Sequence, residues 1–109
     1  TAGGKIYLTL TKEKTMRTTN AESSNYTTRK EPFQANNLSG EYVGKTYVVY
    51  SYGYYPIYVH LNGTWYKNMD KYSVTTSKQQ TQSAPELYGQ KEFQMVNTAT
   101  LDRMIVLSA

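Results

Sequence analysis

The chain has no cysteine, and its 109 residues include only one histidine, three prolines and two phenylalanines. Without cysteine, it cannot form a disulfide, ligate zinc through thiolates, hold an iron–sulfur cluster or use a thiol nucleophile. No apolar stretch approaches the roughly 18 residues that a membrane span needs. The N-terminus also lacks the charged-then-apolar pattern of a signal peptide. We therefore expect a soluble, intracellular protein that makes no membrane contact.

Residues suited to catalysis are scarce. Asp70 and Asp102 lie far apart in the sequence, and His60 has no second histidine with which to hold a metal ion. Gly3 and Gly4 lack the lysine spacing of a phosphate-binding loop. The sequence therefore predicts no catalytic residues, no metal site and no cofactor.

Tyrosine is abundant, with twelve copies in a chain that is 39% hydrophobic. A tyrosine ring packs well while its hydroxyl needs water or a partner, so this excess suits half-buried sheet faces and contact surfaces. It also suits a small β protein with little true interior. The length fits one domain with one modest core.

The net charge of +4 lies entirely in the N-terminal third. Residues 1–30 contain six basic side chains and two acidic ones, and the remaining residues contain six of each sign. Alternation over residues 5–10 predicts a strand, and residues 11–30 are mostly Thr, Ser, Asn and charged residues. We predict an N-terminal strand and basic polar arm over 1–30 and a compact domain over 31–109. The arm either binds phosphates or an acidic surface, or is only a solvated segment.

The middle of the sequence predicts an antiparallel meander. Residues 45–52, 57–61 and 64–68 are rich in aromatic and β-branched residues, and Asn62-Gly63 is a strong signal for a two-residue hairpin turn. That turn fixes the register, which pairs Leu61 with Thr64, His60 with Trp65, Val59 with Tyr66 and Tyr58 with Lys67. One face, with Ile57, Val59, Leu61 and Tyr66, is assigned to the core. The opposite face, with Tyr58, His60, Trp65 and Lys67, is either solvent-facing or a contact surface.

Shorter elements flank the meander. Asn36, Asn37 and the Ser39-Gly40 pair indicate turns, with a short strand at 41–43. Thr76 followed by Gln79 matches a capping box and predicts a short helix over 77–82. A strand is expected at 93–96, followed by a final helix that Thr98 or Thr100 would cap. The fold class is α+β, a small single domain with an antiparallel meander core and both helices on one face.

Two groups of residues are candidate binding sites. Tyr58, Trp65 and Lys67 combine rings for base stacking with a cation for phosphate, although the same residues suit a protein–protein hot spot. Ser77 and Lys78 follow Thr75-Thr76, and together with the N-terminus of the predicted helix they would receive an anion such as a backbone phosphate. The alternative is that Thr76 caps the helix and its neighbours stabilise a turn.

Several motifs resemble a family of small uncharacterised proteins of bacteriophages and plasmids. The resemblance rests on Y-V-V-Y-S-Y-G at 47–53, Pro56-Ile57, Trp65-Tyr66, N-x-D-K-Y-S at 68–73 and T-T-S-K at 75–78. Members often have a histidine after Y-S-Y-G and another after T-T-S-K, where this chain has Tyr54-Tyr55 and Gln79. Many also have an arginine where Ala84 stands. A family site built on those residues would be lost here, and the resemblance implies an origin more than an activity.

These observations favour a non-enzymatic, phage-type accessory protein of the host cytoplasm. We expect it to bind a nucleic acid or a host nucleoprotein complex, with antagonism of host defence as its role. The alternative is a protein that binds and inhibits or regulates a host enzyme without touching nucleic acid. A DNA-mimicking inhibitor would be acidic, which this basic chain is not.

Overall fold

The computed structural model describes residues 15–70 and 73–109, and it forms an α+β domain around one mixed sheet. The predicted strand at 5–10 lies outside these residues. Seven strands follow one another across the sheet in chain order: β1 (Met16–Arg17), β2 (Phe33–Gln34), β3 (Leu38–Val43), β4 (Thr46–Ser51), β5 (Tyr55–Leu61), β6 (Thr64–Asn68) and β7 (Gln94–Val96). The helices are a 3-10 turn (Asn20–Glu22), α1 (Ser23–Arg29), α2 (Val74–Ser83) and α3 (Thr98–Ser108).

The predicted meander is confirmed, including its register. β3 to β6 are antiparallel, and His60 pairs with Trp65 as the two-residue turn requires. Asn62 and Gly63 have φ values of 52° and 80°, as expected for the central residues of a type I′ turn. The sheet extends beyond the meander, because β1 adds to β2 and β7 adds to β6 in parallel.

Helices cover both faces of the sheet, so the prediction that they share one face is wrong. Helices α1 and α2 lie over one face, where the larger core cluster consists of Phe33, Ala35, Leu38, Tyr47, Val49, Tyr55, Ile57, Tyr58 and Trp65. Helix α3 packs on the other face, where the buried residues are Val48, Val59 and Leu101. A register shift leaves Ile57 between the pairs Val49–Tyr58 and Tyr50–Pro56. This bulge puts Ile57 and Tyr58 in one cluster, which the predicted alternation had separated.

Residues 23–29, which belong to the predicted polar arm, form the helix α1. Its hydroxyl groups hold it against the end of α2. Ser24 Oγ donates to the carbonyl of Ala84 at 2.6 Å, and Ser23 Oγ donates to that of Gln82 at 3.4 Å. Ser23 and Thr27 are buried. Serine and threonine therefore serve here as packing residues that satisfy backbone groups, although their composition alone suggested a loop.

Ser39 and Gly40, predicted as a turn, lie inside β3. Gly40 is needed for packing: a Cβ built on it would meet ring carbons of Phe33 at 2.6 and 2.8 Å, as well as the Tyr47 hydroxyl. The glycine thus allows two aromatic side chains to pack directly on the strand.

The predicted helices exist, but they begin elsewhere. Helix α2 starts at Val74, and its cap is the Ser73 hydroxyl, which accepts a hydrogen bond from the Thr76 amide at 3.1 Å. Thr76 is buried one turn inside and is not the cap. Helix α3 is capped by Asn97, whose side chain accepts from the Thr100 amide at 2.9 Å. Among the described residues, no helix is long and apolar enough to cross a membrane.

Candidate functional site

The predicted aromatic contact face belongs to the core. Tyr58 is 1% exposed and Trp65 is 4% exposed, and their rings pack edge to face with centroids 6.3 Å apart. The Tyr58 hydroxyl donates to the carbonyl of Gln80 at 2.7 Å, and burial raises the pKa of this hydroxyl. Neither ring is available for base stacking or for a partner. The prediction that Tyr58 and Trp65 form an exposed contact surface is wrong.

Lys67 and Ser77 lie together in a groove of about 300 Å³ between the sheet and one side of α2. The Lys67 ammonium is 5.6 Å from the ring centre of Phe93, a cation–π contact. Asp70 lines the same groove. Its carboxylate accepts from the Thr98 amide at 2.8 Å, and this hydrogen bond lowers its pKa. An anion bound in this groove would therefore meet one lysine and one carboxylate.

Lys78 lies on the other side of α2, in a different groove from Ser77. The hypothesis that Ser77, Lys78 and the helix N-terminus form one anion site is thus not supported by their arrangement. Consecutive helical residues are about 100° apart around the axis, so neighbours in the T-T-S-K motif point in different directions.

Three segments that are distant in the sequence meet at the side chain of Gln79, which is 1% exposed. Ser51 Oγ donates to Gln79 Oε1 at 2.6 Å, and Gln79 Nε2 donates to the carbonyl of Asn37 at 3.0 Å. The Tyr52 amide donates to that same carbonyl at 3.0 Å. A single buried amide therefore joins the Y-S-Y-G turn, the Asn36-Asn37 turn and the helix that contains T-T-S-K.

The turn between β4 and β5 presents two exposed tyrosines. We call Tyr52, Gly53 and Tyr54 the tyrosine turn. The side chains of Tyr52 and Tyr54 are 54% and 61% exposed. The backbone of Tyr52 has a φ of 55°, in the left-handed region where a large side chain is uncommon, and Gly53 follows at 79°. Backbone strain of this kind costs about 1–2 kcal/mol and is concentrated at functional sites.

A polar groove of about 260 Å³ adjoins the tyrosine turn through Asn37. We call it the α2 groove; its lining residues are Asn20, Asn37, Val74, Thr75, Lys78, Gln79 and Gln82. Four of the seven carry side-chain amides, and Lys78 is the only charged one. The amides of Asn20 and Asn37 are hydrogen-bonded to each other at 2.6 Å.

Another groove, of about 540 Å³, lies at the other end of the sheet and contains His60, Lys30 and Glu86. The His60 ring packs on Trp65 with centroids 5.0 Å apart. Partial burial, with the Lys30 charge as a second cause, lowers its pKa. In residues 15–70 and 73–109, no hydrogen bond joins His60 to a carboxylate or a hydroxyl, as a general base or catalytic dyad would need.

Residues 15–70 and 73–109 contain no cluster of three or more His, Asp or Glu side chains that would hold a metal ion. These ranges carry eight basic and seven acidic side chains, so most of the +4 charge belongs to the rest of the sequence. The sequence prediction missed the tyrosine turn as a site, although tyrosines on both sides of Gly53 were a signal for it.

Comparisons with protein-family models, with curated proteins and with solved structures found no match to this chain.

Proposed function

We propose that this chain is a non-enzymatic binding protein that inhibits or regulates a host enzyme by direct protein contact. The tyrosine turn and the adjoining α2 groove form its contact surface. The observation that carries the proposal is Tyr52, which is exposed although its backbone has a φ of 55°. A fold that keeps a strained, exposed aromatic residue gains nothing in its own core from that residue.

A protein partner suits this surface. Tyrosine is among the residues enriched in protein-binding hot spots, because it offers a large contact area with few rotatable bonds. The near balance of charges among the described residues also favours a protein, because nucleic-acid binding relies on several cations that together neutralise phosphates. We propose the host cytoplasm as the place of this contact, which is what the resemblance to phage and plasmid proteins implies.

A nucleic acid or a nucleoprotein complex is the second candidate partner. Two observations favour it. Lys67 and Ser77 share one groove, and the basic excess of the sequence lies in Lys5, Lys12, Lys14 and Lys71. Contacts from such lysines would supply the electrostatic, sequence-independent part of binding to phosphates.

Capture from a nuclease-treated host lysate tests the protein-binding proposal. The bait is the full chain, compared with Tyr52→Asn and with Tyr88→Asn as a matched control. Asparagine tolerates a positive φ, so each variant removes an exposed ring without new backbone strain. Tyr88 is also exposed and has a φ of 24°, but it lines the groove at the other end of the sheet.

We expect wild type and Tyr88→Asn to capture one discrete host protein. Tyr52→Asn should bind that protein at least about tenfold more weakly, as for a hot-spot residue worth more than 1.4 kcal/mol. Equal capture by all three baits would contradict the proposed surface. Loss of the captured protein after nuclease treatment, with oligonucleotide binding that weakens steeply as salt rises, would favour the nucleic-acid candidate instead.

A further inference from the structure

We infer that the α2 groove receives an acidic peptide segment of the partner protein, with a carboxylate of that segment placed at Lys78. This inference rests on the proposed protein-binding function and adds the chemistry of the partner's segment. It uses residues that the tyrosine turn does not include, so the two can be tested separately.

Charge gives the first reason. Lys78 is exposed and, among the described residues, is the only charged one that lines the groove. It forms no ion pair within the described ranges, where the one salt bridge joins Arg29 to Glu31. No acidic side chain from residues 15–70 or 73–109 lines this groove, whereas Asp70 lines the groove on the opposite side of α2. A carboxylate that enters here meets an uncompensated cation.

The amides of the lining give the second reason. Three of the four lining amides are engaged within the domain, because Asn20 and Asn37 bond each other and Gln79 is buried with both ends of its amide used. Gln82 is the amide left to donate to and accept from an extended backbone. The Gln82 side chain is half-buried at the groove and makes no hydrogen bond within the described part of the chain. At the rim, Val74 is 88% exposed and offers an apolar contact. An acidic residue flanked by apolar ones fits this combination.

The number of cations favours a peptide over a nucleic acid. A nucleic-acid strand presents a phosphate at every nucleotide, and tight binding requires several lysines or arginines along its path. The part of the α2 groove that the structure describes provides one lysine, which suits one carboxylate.

The test is an NMR titration of the ¹⁵N-labelled full chain with three probes. The first is a blocked hexapeptide with two glutamates around a leucine, the second is the same peptide with glutamine for glutamate, and the third is a thymidine hexanucleotide. Each is repeated on Lys78→Gln and on Lys91→Gln, a matched control in which the removed lysine is also exposed but does not line the α2 groove.

We expect the glutamate peptide to shift the amide signals of Asn20, Thr75 and Gln82, and to bind about three- to fivefold more weakly to Lys78→Gln and unchanged to Lys91→Gln. Binding should also weaken at high salt. Equal binding of the glutamine peptide, or no effect of Lys78→Gln, would overturn the inference. Preferential shifts from the oligonucleotide would replace the peptide with a nucleic acid. If Tyr52→Asn abolishes capture of a host protein while Lys78→Gln leaves that capture and peptide binding unchanged, the proposed function stands and this inference fails.

Discussion

At the scale of single residues, buried polar side chains decide how the segments of this protein meet. Gln79 is almost fully buried within a polar helix, and both ends of its amide are used, one by Ser51 and the other by the carbonyl of Asn37. Asn68 is a second example, since its amide donates to the carbonyl of Pro56 at 2.8 Å and to the Thr98 hydroxyl at 3.0 Å. Every buried side-chain nitrogen and oxygen among the described residues has a hydrogen-bond partner. Removing one partner therefore leaves another buried group unsatisfied.

Replacing Gln79 with leucine tests this linkage. The substitution keeps a similar volume but leaves the buried Ser51 hydroxyl without its acceptor, so we expect the free energy of unfolding to fall by about 2–3 kcal/mol. Urea denaturation followed by circular dichroism measures the change. The control is Gln94→Leu, an exposed position at which we expect a change within about 0.5 kcal/mol. Equal stabilities of the two variants would show that the Gln79 amide does not join the segments.

His60 should titrate below the ordinary histidine pKa of 6.5, because partial burial and the Lys30 charge both disfavour its protonated form. The folded chain then binds the proton less tightly than the unfolded chain. The free energy of unfolding should therefore decrease as the pH falls through 6.5 and below, and His60→Gln should lose this part of the pH dependence. NMR titration of the ring protons measures the pKa directly.

A substitution of Lys30 tests whether the charge of this lysine contributes to the lowered His60 pKa. The backbone φ of Lys30 is 55°, so Lys30→Asn removes the charge at a residue type that tolerates this conformation. We expect the His60 pKa to rise in this variant without reaching its ordinary value, because burial is the larger cause. A wild-type pKa at or above 6.5 would contradict both statements.

At the scale of elements, the position of a cap determines where helix α2 begins and which residues face each groove. The Ser73 hydroxyl accepts from the Thr76 amide, so the helix starts one turn earlier than a Thr76 cap would allow. The extra turn places Val74 and Thr75 on the helix, at the α2 groove, with Lys78 in the next turn. The register of this helix therefore sets the chemistry of the candidate surface.

Ser73→Ala should lower the free energy of unfolding by about 1 kcal/mol, because the first turn loses its side-chain acceptor. Ser77→Ala is the control: its side chain is exposed, and we expect a change of less than about 0.5 kcal/mol. The melting temperatures of the two variants, compared with wild type, report the difference. A cap at Ser73 would be refuted if Ser73→Ala melted at the wild-type temperature.

At the scale of the whole molecule, the sheet is packed on both faces, but unequally. The face under α1 and α2 contains the larger core cluster, including most of the buried aromatic side chains. On the other face the fully buried residues are Val48, Val59 and Leu101, and only Leu101 comes from α3. Leu101 is therefore the one fully buried side chain by which α3 packs on the sheet, and Met104 and Ile105 add partly buried contacts.

Leu101→Ala should cost about 2–5 kcal/mol, since it removes a fully buried side chain and leaves a cavity between α3 and the sheet. Val106→Ala is the control on the same helix, because Val106 is 71% exposed. We expect that control to remain within about 0.5 kcal/mol of wild type in urea denaturation. A small loss for Leu101→Ala, similar to that of Val106→Ala, would mean that α3 contributes little to the stability of the domain.

Local patterns in the sequence by themselves determined the central meander of this protein. The β-branched and aromatic runs, together with Asn62-Gly63, set the strands and the register of the hairpin, because a two-residue turn allows only one pairing. The final helix and the α+β class followed from similarly local signals. These features depend on interactions between residues close together in the chain, so they can be predicted from the sequence.

Tertiary structure alone decided which side chains are buried and which are exposed. An amphipathic strand pattern shows that two faces differ, but not that helices cover both of them. It therefore predicts a surface position for Tyr58 and Trp65, which lie in the core. The bulge at Ile57 and the hydroxyl contacts of α1 depend on partners distant in sequence. The candidate surface has the same origin. Gln79, Ser51 and Asn37 carry no local signal of their association, because only folding brings a helix, a strand end and a turn within hydrogen-bond distance.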